Sequence, residues 1–139
     1  MTSSPGVTRN GKAIILVVER DQHVRELEAH FLDRAGFSVE FAADGDAALA
    51  RARELVPDIL VTEILVPMLD GLSLCRRLKV DPQTRDIAVL VFSILAAGDR
   101  AREAGADAFL LKPLAEHILV ATVEKLLEAR TARLGRTSQ

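Results

Sequence analysis

Residues Pro57–Gly71, around which the chain is organised, read PDILVTEILVPMLDG. Its apolar run, Ile59–Val61, has the length and the aliphatic composition of a buried strand in a parallel sheet. One acid, Glu63, follows at the point where the strand should leave the core. In open α/β sheets, ligands bind beyond the carboxyl ends of the strands, so Glu63 marks a candidate site.

The composition is that of an ordinary globular domain. The chain has 139 residues, of which 49% are hydrophobic and 27% charged, and this argues against disorder. A net charge of −2 indicates no binding to nucleic acid or to an anionic membrane. The single cysteine, Cys75, excludes an internal disulfide, and its helical spacing predicts an inert buried thiol. With no signal peptide and no membrane-length apolar run, the expected location is the cytoplasm.

Short apolar segments alternate with segments of helical spacing along the chain. The predicted strands are 13–18, 37–42, 59–61, 87–92 and 108–111. Helices are predicted between them and after the last, the later four at 46–55, 71–80, 96–104 and 114–130. This alternation is typical of right-handed βαβ crossovers, so we predict a doubly wound α/β fold with a five-stranded parallel sheet and five helices.

Local signals refine the helices. In the first helix, four apolar residues at helical spacing predict the buried face: Val24, Leu27, Phe31 and Ala35. Asp44 and Asp70 are predicted N-caps. Three histidines without metal-ligand spacing are expected at the surface: His23, His30 and His117. Three arginines are expected on a solvated, fraying helix end: Arg130, Arg133 and Arg136. We expect flexible tails at 1–11 and 132–139, around a domain at 12–131.

Polar residues follow four of the five predicted strands. They are Glu19-Arg20-Asp21 after strand one, Glu63 at strand three, Ser93 at strand four and Lys112 at strand five. Because the carboxyl ends of parallel strands meet at one edge of the sheet, these side chains are predicted to form one site.

Four segments resemble the receiver domain of two-component response regulators: ILVVERDQHVREL, PDILVTEILVPMLDGLSLCRRL, VLVFS and GADAFLLKPL. The resemblance runs from about Ala13 to Arg130, and it implies a CheY-like sheet with strand order 2-1-3-4-5. In that family, two acids after strand one and an Asp ending strand three bind Mg²⁺. The strand-three Asp then accepts a phosphoryl group from a histidine kinase.

The resemblance assigns roles to single positions of this chain. It implies that Ser93 and Lys112 contact phosphoryl oxygens, that Lys112 and Pro113 join by a cis peptide, and that Phe109 is the aromatic switch. The departures lie at the centre, because Glu63 stands in place of the acceptor Asp. Glu19-Arg20 stands in place of the acidic pair, and Asp21 is expected to begin the first helix.

Both departures act against Mg²⁺-dependent phosphorylation. Arg20 brings a permanent cation, which would repel a metal ion about 4 Å away by several kcal/mol. Glu63 carries one more methylene than Asp, and a misplacement of about 1 Å can slow in-line transfer roughly 10²-fold. We therefore interpret the chain as a pseudo-receiver, not an enzyme, that needs no cofactor or metal and acts by protein–protein interaction. The alternative is a functional receiver phosphorylated by a histidine kinase on Glu63 or a neighbouring acid with Mg²⁺.

Two arrangements of the altered site remain open on the sequence. In one, Glu63 approaches Ser93 and Lys112 and holds the domain in a single state. In the other, Arg20 takes the place of the metal and pairs with Glu63 or Glu19, sealing a degenerate acidic pocket. We favour Arg20 in the metal's place, because the charges at the buried edge would otherwise lack partners.

The fourth and fifth helices indicate a surface for partners. Only 18 residues separate Ser93 from Lys112, about three fewer than receivers usually have, so the fourth helix should span about two turns. By resemblance, helix four, strand five and helix five form the face that many receivers use for partners. Ile118 and Val120 add apolar surface beside a core stripe on helix five: Leu119, Val123, Leu126 and Leu127. We therefore expect a signalling-protein interface there, which could include a homodimer.

Overall fold

The computed structural model describes residues 11–113 and 115–137. Five strands alternate with five helices, as predicted: β1 (Ile14–Val18), α1 (Gln22–Arg34), β2 (Ser38–Ala42), α2 (Gly45–Leu55), β3 (Ile59–Thr62), α3 (Gly71–Val80), β4 (Ala88–Ser93), α4 (Gly98–Glu103), β5 (Ala108–Leu111) and α5 (Glu116–Thr137). The predicted N-terminal tail lies outside the described residues except for Gly11.

The strands form one parallel sheet in the order β2-β1-β3-β4-β5, which confirms the order that the resemblance implied. All residues of β1, β3 and β4 are buried, because helices cover both faces of the sheet. Successive strand residues alternate between two cores. Leu60 belongs to the core that includes α2, α3 and α4, whereas Val61 belongs to the core that includes α1 and α5.

Side-chain caps and one glycine fix the loop that follows β3. Asp70 caps α3 as predicted, its carboxylate accepting from the backbone N–H groups of Leu72 and Ser73 at 2.9 Å. At Gly71 an added Cβ would lie 2.3 Å from the carbonyl oxygen of Glu63. The close approach of α3 to the end of β3 therefore requires glycine, and it holds the backbone of Glu63 in place.

The predicted buried face of α1 is wrong by about one position. The buried residues of this helix are Glu28 and Leu32, whereas Leu27 is 53% exposed. Glu28 is tolerated inside because the ammonium group of Lys112 lies 3.5 Å from its Oε2. Hydrophobic spacing does not reveal the partner that makes a buried Glu28 possible, since the cation comes from the far end of the chain.

Three smaller predictions are confirmed. The fourth helix is short, with six residues. Cys75 is buried, and burial raises the pKa of its thiol to about 11. The histidines at 23, 30 and 117 are all exposed. Among the described residues, none of the helices combines the length and the apolar character needed to cross a membrane.

The prediction of a fraying, solvated end at Arg130 is wrong. The helix α5 continues to Thr137, through most of the predicted C-terminal tail, and Arg130 is only 2% exposed. Its Nη1 donates to Oδ1 of Asp58 at 3.1 Å, and its Nε donates to the carbonyl of Asp86 at 2.8 Å. Oδ2 of Asp58 in turn accepts from the N–H of Ile14 at 2.7 Å. A buried ion pair thus fastens α5 to the amino edge of the sheet.

We expect Arg130→Met to lower the free energy of unfolding by about 3 kcal/mol, because removing one member of a buried ion pair leaves the other charge uncompensated. Urea denaturation followed by circular dichroism measures this loss. The matched control is Arg133→Met, since Arg133 makes only a 3.4 Å contact with the carbonyl of Asp86. Equal losses in the two variants would contradict a special contribution from the buried pair.

Candidate functional site

Glu63 lies at the carboxyl end of β3, and five donors surround its carboxylate, the most distant being the N–H of Leu65 at 3.4 Å from Oε1. The hydroxyl of Ser93 donates to Oε1 at short range, and the N–H of Ile64 donates to the same oxygen at 2.8 Å. Oε2 accepts from the N–H of Ile94 at 3.2 Å and lies 3.2 Å from Nζ of Lys112. The structure thus brings together Glu63, Ser93 and Lys112, and it leaves Glu63 only 6% exposed.

Backbone geometry orients the hydroxyl of Ser93. Its Oγ accepts from the N–H of Leu95 at 3.1 Å, so the hydroxyl hydrogen is free to donate to Glu63. Burial by itself would raise the pKa of Glu63. The Ser93 hydroxyl, the Lys112 charge and the N–H of Ile64 outweigh burial and lower that pKa below its ordinary value. Glu63 is therefore held as an anion.

Lys112 occupies the middle of a cluster of three carboxylates. Its Nζ lies 2.5 Å from Oε1 of Glu19, 3.2 Å from Oε2 of Glu63 and 3.5 Å from Oε2 of Glu28. Burial acts to lower the pKa of Lys112, but the hydrogen bond to Glu19 and the three nearby carboxylates raise it above its ordinary value. Lys112 stays charged, and its side chain is largely buried. We call Lys112, Glu19, Glu28 and Glu63 the Lys112 cluster.

The second acid of the cluster, Glu19, is anchored from both sides. Its Oε2 accepts from the N–H of Asp21 at 3.0 Å, and its backbone carbonyl accepts from Nη1 of Arg25 at 2.8 Å. Asp21 caps α1, as expected, by accepting from the N–H groups of His23 and Val24. The start of α1 therefore fixes the position of Glu19 beside Lys112.

The favoured placement of Arg20 in the metal's position is wrong. Arg20 is exposed, and it makes no ion pair or hydrogen bond with any other residue in the described part of the chain. Neighbouring residues at a strand end point in opposite directions, so the burial of Glu19 turns Arg20 outward. Lys112 provides the cation instead, and Glu63 makes the contacts of the first arrangement. That these contacts hold the domain in a single state stays a prediction.

Glu28 is the member of the cluster that the sequence analysis missed. Desolvation by burial raises the pKa of its carboxyl group to about 7, against the lowering effect of the Lys112 charge. A usable signal was present in the sequence. Position 28 lies four residues after Val24 and three before Phe31, so it shares their face of the helix.

Phe109 lies in β5. It packs on the core side that includes α2, α3 and α4, where an added Cβ at Gly98 would lie 3.4 Å from its ring. Its switch role stays a prediction. The peptide bond between Lys112 and Pro113 is cis, as the resemblance implied. Among the described residues, no group of three or more His, Cys, Asp or Glu side chains is arranged to hold a metal ion.

Comparison with known proteins identifies the fold family. The family model for the response regulator receiver domain matches residues 15–124. The chain is 40% identical over 116 residues to response regulator PleD of Caulobacter vibrioides, covering 81% of this chain and 25% of PleD. It is 41% identical over 119 residues to response regulator MprA of Mycobacterium avium, covering 81% of this chain and 50% of MprA. The chain thus spans about a quarter to a half of the length of these relatives.

Solved structures agree with these sequence relatives. The receiver domain of a signal transduction histidine kinase from Syntrophus aciditrophicus is 33% identical with a TM-score of 0.79, covering 84% of this chain and 91% of that one. Chemotaxis response regulator CheY4 of Vibrio cholerae is 25% identical with a TM-score of 0.77, covering 83% and 98%. Sequence, strand order and structural similarity agree, and the chain belongs to the response regulator receiver domain family.

Proposed function

We propose that this receiver domain signals by protein–protein interaction without being phosphorylated. The observation that carries the proposal is the placement of the Glu63 carboxylate between the Ser93 hydroxyl and the Lys112 ammonium group. By family resemblance, those two groups would contact the oxygens of a phosphoryl group. The additional methylene of Glu63 lets its own anion reach them, so the contacts form in the unmodified chain.

The state of Glu63 supports the absence of phosphotransfer. A nucleophilic carboxylate must present an oxygen lone pair in line with the incoming phosphorus atom. Oε1 of Glu63 accepts from Ser93 and Ile64, and Oε2 is held by Ile94 and Lys112. An attack by either oxygen would require these contacts to break inside a buried pocket.

The donor set around the pocket does not fit Mg²⁺. This ion requires six oxygen ligands in near-octahedral geometry at about 2.0–2.1 Å. The oxygens of Glu19 are occupied by Lys112 and by the N–H of Asp21, and Arg20 is a cation at the surface. The ammonium group of Lys112 already supplies the positive charge between the carboxylates, which supports a metal-free site.

The Lys112 cluster contains more acids than bases, and the protonation of one acid adjusts its charge. Three carboxylates face one ammonium group, so full ionisation would leave an excess of negative charge. Because burial raises the pKa of Glu28 to about 7, this residue carries a proton for part of the time near neutral pH. Partial protonation of Glu28 relieves part of the repulsion between the carboxylates.

We place the partner surface on α4, β5 and α5. Leu111 of β5 is 44% exposed and Ile118 of α5 is 38% exposed. These apolar side chains are suited to an interface core with another signalling protein or with a second copy of this chain.

Incubation with acetyl phosphate and Mg²⁺ is expected to leave the protein unmodified, because Glu63 is ion-paired and the metal site is altered. Intact-mass spectrometry measures the result directly. A phosphoryl adduct on the unaltered chain would contradict the proposal and support the alternative, phosphorylated receiver. The positive control is the double variant Arg20→Asp with Glu63→Asp, which rebuilds the acidic pair and the shorter acceptor. We expect this variant to gain an adduct under the same conditions.

The stability of the domain should depend on the protonation of Glu28. Its pKa is about 7 in the folded chain and near 4.5 when unfolded, so the folded state binds the proton more tightly. The contribution of this proton to the free energy of unfolding is fully present below about pH 4.5, and it is lost as the pH rises through about 7. The loss amounts to about 3 kcal/mol. Urea unfolding at several pH values measures it.

In Glu28→Gln this fall in stability should disappear, because the amide does not titrate. Glu26→Gln is the matched control, since Glu26 lies exposed on the same helix. If Glu28→Gln shows the same pH dependence as the unaltered chain, the raised pKa of Glu28 is not its cause.

If the chain self-associates through α5, its molar mass should rise above that of one chain as the concentration increases. Static light scattering after size exclusion measures this mass. Ile118→Glu should restore the monomer, because a charge at the centre of an apolar interface is costly to bury. A mass that stays at one chain at every concentration would count against the homodimer.

A further inference from the structure

A cavity of about 210 Å³ opens beside the Lys112 cluster, between α1, β4 and the start of α5. Its walls are apolar and come from distant parts of the chain: Val24, Leu27, Phe31, Phe92 and Leu119. The volume equals that of about seven liquid water molecules, at roughly 30 Å³ each. Such a space fits a compact organic group and is too small for a folded segment.

Three apolar residues of α1 that are not in the core line this cavity. Val24, Leu27 and Phe31 have the spacing of a core-facing stripe, yet they line this cavity while Glu28 and Leu32 take the buried positions. Leu27 remains 53% exposed at its edge. The helix therefore presents an apolar surface to an open space, which is how small-molecule sites are usually walled.

The described charged residues that line the cavity include more acids than bases. Two acids, Glu28 and Glu116, line it, and the cation among its described lining residues is Lys112. Lys112 is committed elsewhere, since Glu19 at 2.5 Å and Glu63 at 3.2 Å both lie closer to its Nζ than Glu28 does. An anionic ligand would therefore meet two carboxylates beside a lysine that is already ion-paired with three acids.

Among the described residues, the Glu28 carboxylate is compensated only by the 3.5 Å ion pair with Lys112, which also pairs with Glu19 and Glu63. Within the described part of the chain, its Oε2 is buried and accepts no hydrogen bond, and Lys112 is 3.5 Å away. A buried carboxylate oxygen without a donor is strongly disfavoured unless a proton or a cation reaches it. An apolar cavity that contains a buried carboxylate oxygen without a hydrogen-bond donor among the described residues is suited to a positively charged ligand.

We propose that this cavity binds a small organic cation. The ligand has a primary ammonium or amidinium head that donates to the Glu28 carboxylate. Its apolar body, of about six to eight non-hydrogen atoms, lies against Phe31 and Leu119, because the ring of Phe92 already carries the ammonium group of Lys112 at 5.3 Å from its centroid. The site stands on its own geometry and does not depend on whether Glu63 can be phosphorylated.

Binding of a cation would be coupled to the ionisation of Glu28. The charged groups that face it are Lys112, Glu19 and Glu63, and Glu116 also lines the cavity. Because the pKa of Glu28 is about 7, a bound cation displaces its proton to the solvent near neutral pH. Affinity should therefore rise about tenfold between about pH 6 and pH 8, as the ionised fraction grows.

The test uses benzylamine as the probe and two-dimensional NMR of the ¹⁵N-labelled chain. We expect saturable shifts of the amide signals of Val24, Leu27 and Phe31. Benzyl alcohol and phenylacetate have the same ring without the positive charge, and each should bind at least tenfold more weakly. Equal binding of benzyl alcohol, or tighter binding of phenylacetate, would overturn the proposal.

Two single-residue variants of α1 test whether the carboxylate of Glu28 binds the probe. Glu28→Gln should weaken benzylamine binding by about tenfold, whereas Glu26→Gln on the exposed side of α1 should leave it unchanged. Unchanged affinity in Glu28→Gln would refute the role of Glu28. If Glu28→Gln does not fold, the three probes and the pH dependence on the unaltered chain decide the question, because a purely apolar cavity would show neither preference.

Discussion

The structure of the site depends on one ammonium group placed among three carboxylates. Lys112 reaches Glu19 from the end of β1, Glu63 from the end of β3 and Glu28 from α1. Without that charge, three buried acids would face one another with only backbone and hydroxyl donors to stabilise them. The β5–α5 connection is thereby tied to the opposite half of the sheet, and the geometry of Glu63 follows from this tie.

The same constraint accounts for the differences between this receiver domain and the family pattern it resembles. By the resemblance, Glu63 stands at the position where the family has an Asp, and its carboxylate contacts the hydroxyl of Ser93 and the ammonium group of Lys112. By the resemblance, Arg20 stands at the position of the second acid of the pair. Its side chain is exposed to solvent, because successive side chains at a strand end point in opposite directions. Glu28 remains as the least satisfied acid, facing an apolar cavity.

The sequence was sufficient for the architecture and for much of the site. Aliphatic runs such as Ile59–Val61, the N-caps at Asp44 and Asp70 and the spacing of the helices predicted the five βα units correctly. Topology alone then brought Glu63, Ser93 and Lys112 to one edge. The strand order and the cis peptide came from family resemblance, and the structure agrees with both.

What the sequence determined by itself was the periodic part of the molecule, because strand and helix patterns are set by residues close together in the chain. Only the tertiary structure decided how the charges are paired. Arg130 was predicted in solvent, yet it is buried against Asp58, 72 residues away in sequence. Glu28 was not singled out from the sequence, yet its carboxylate lies 3.5 Å from the ammonium group of Lys112. A buried charge is stable only beside its partner, and that proximity exists only after the chain has folded.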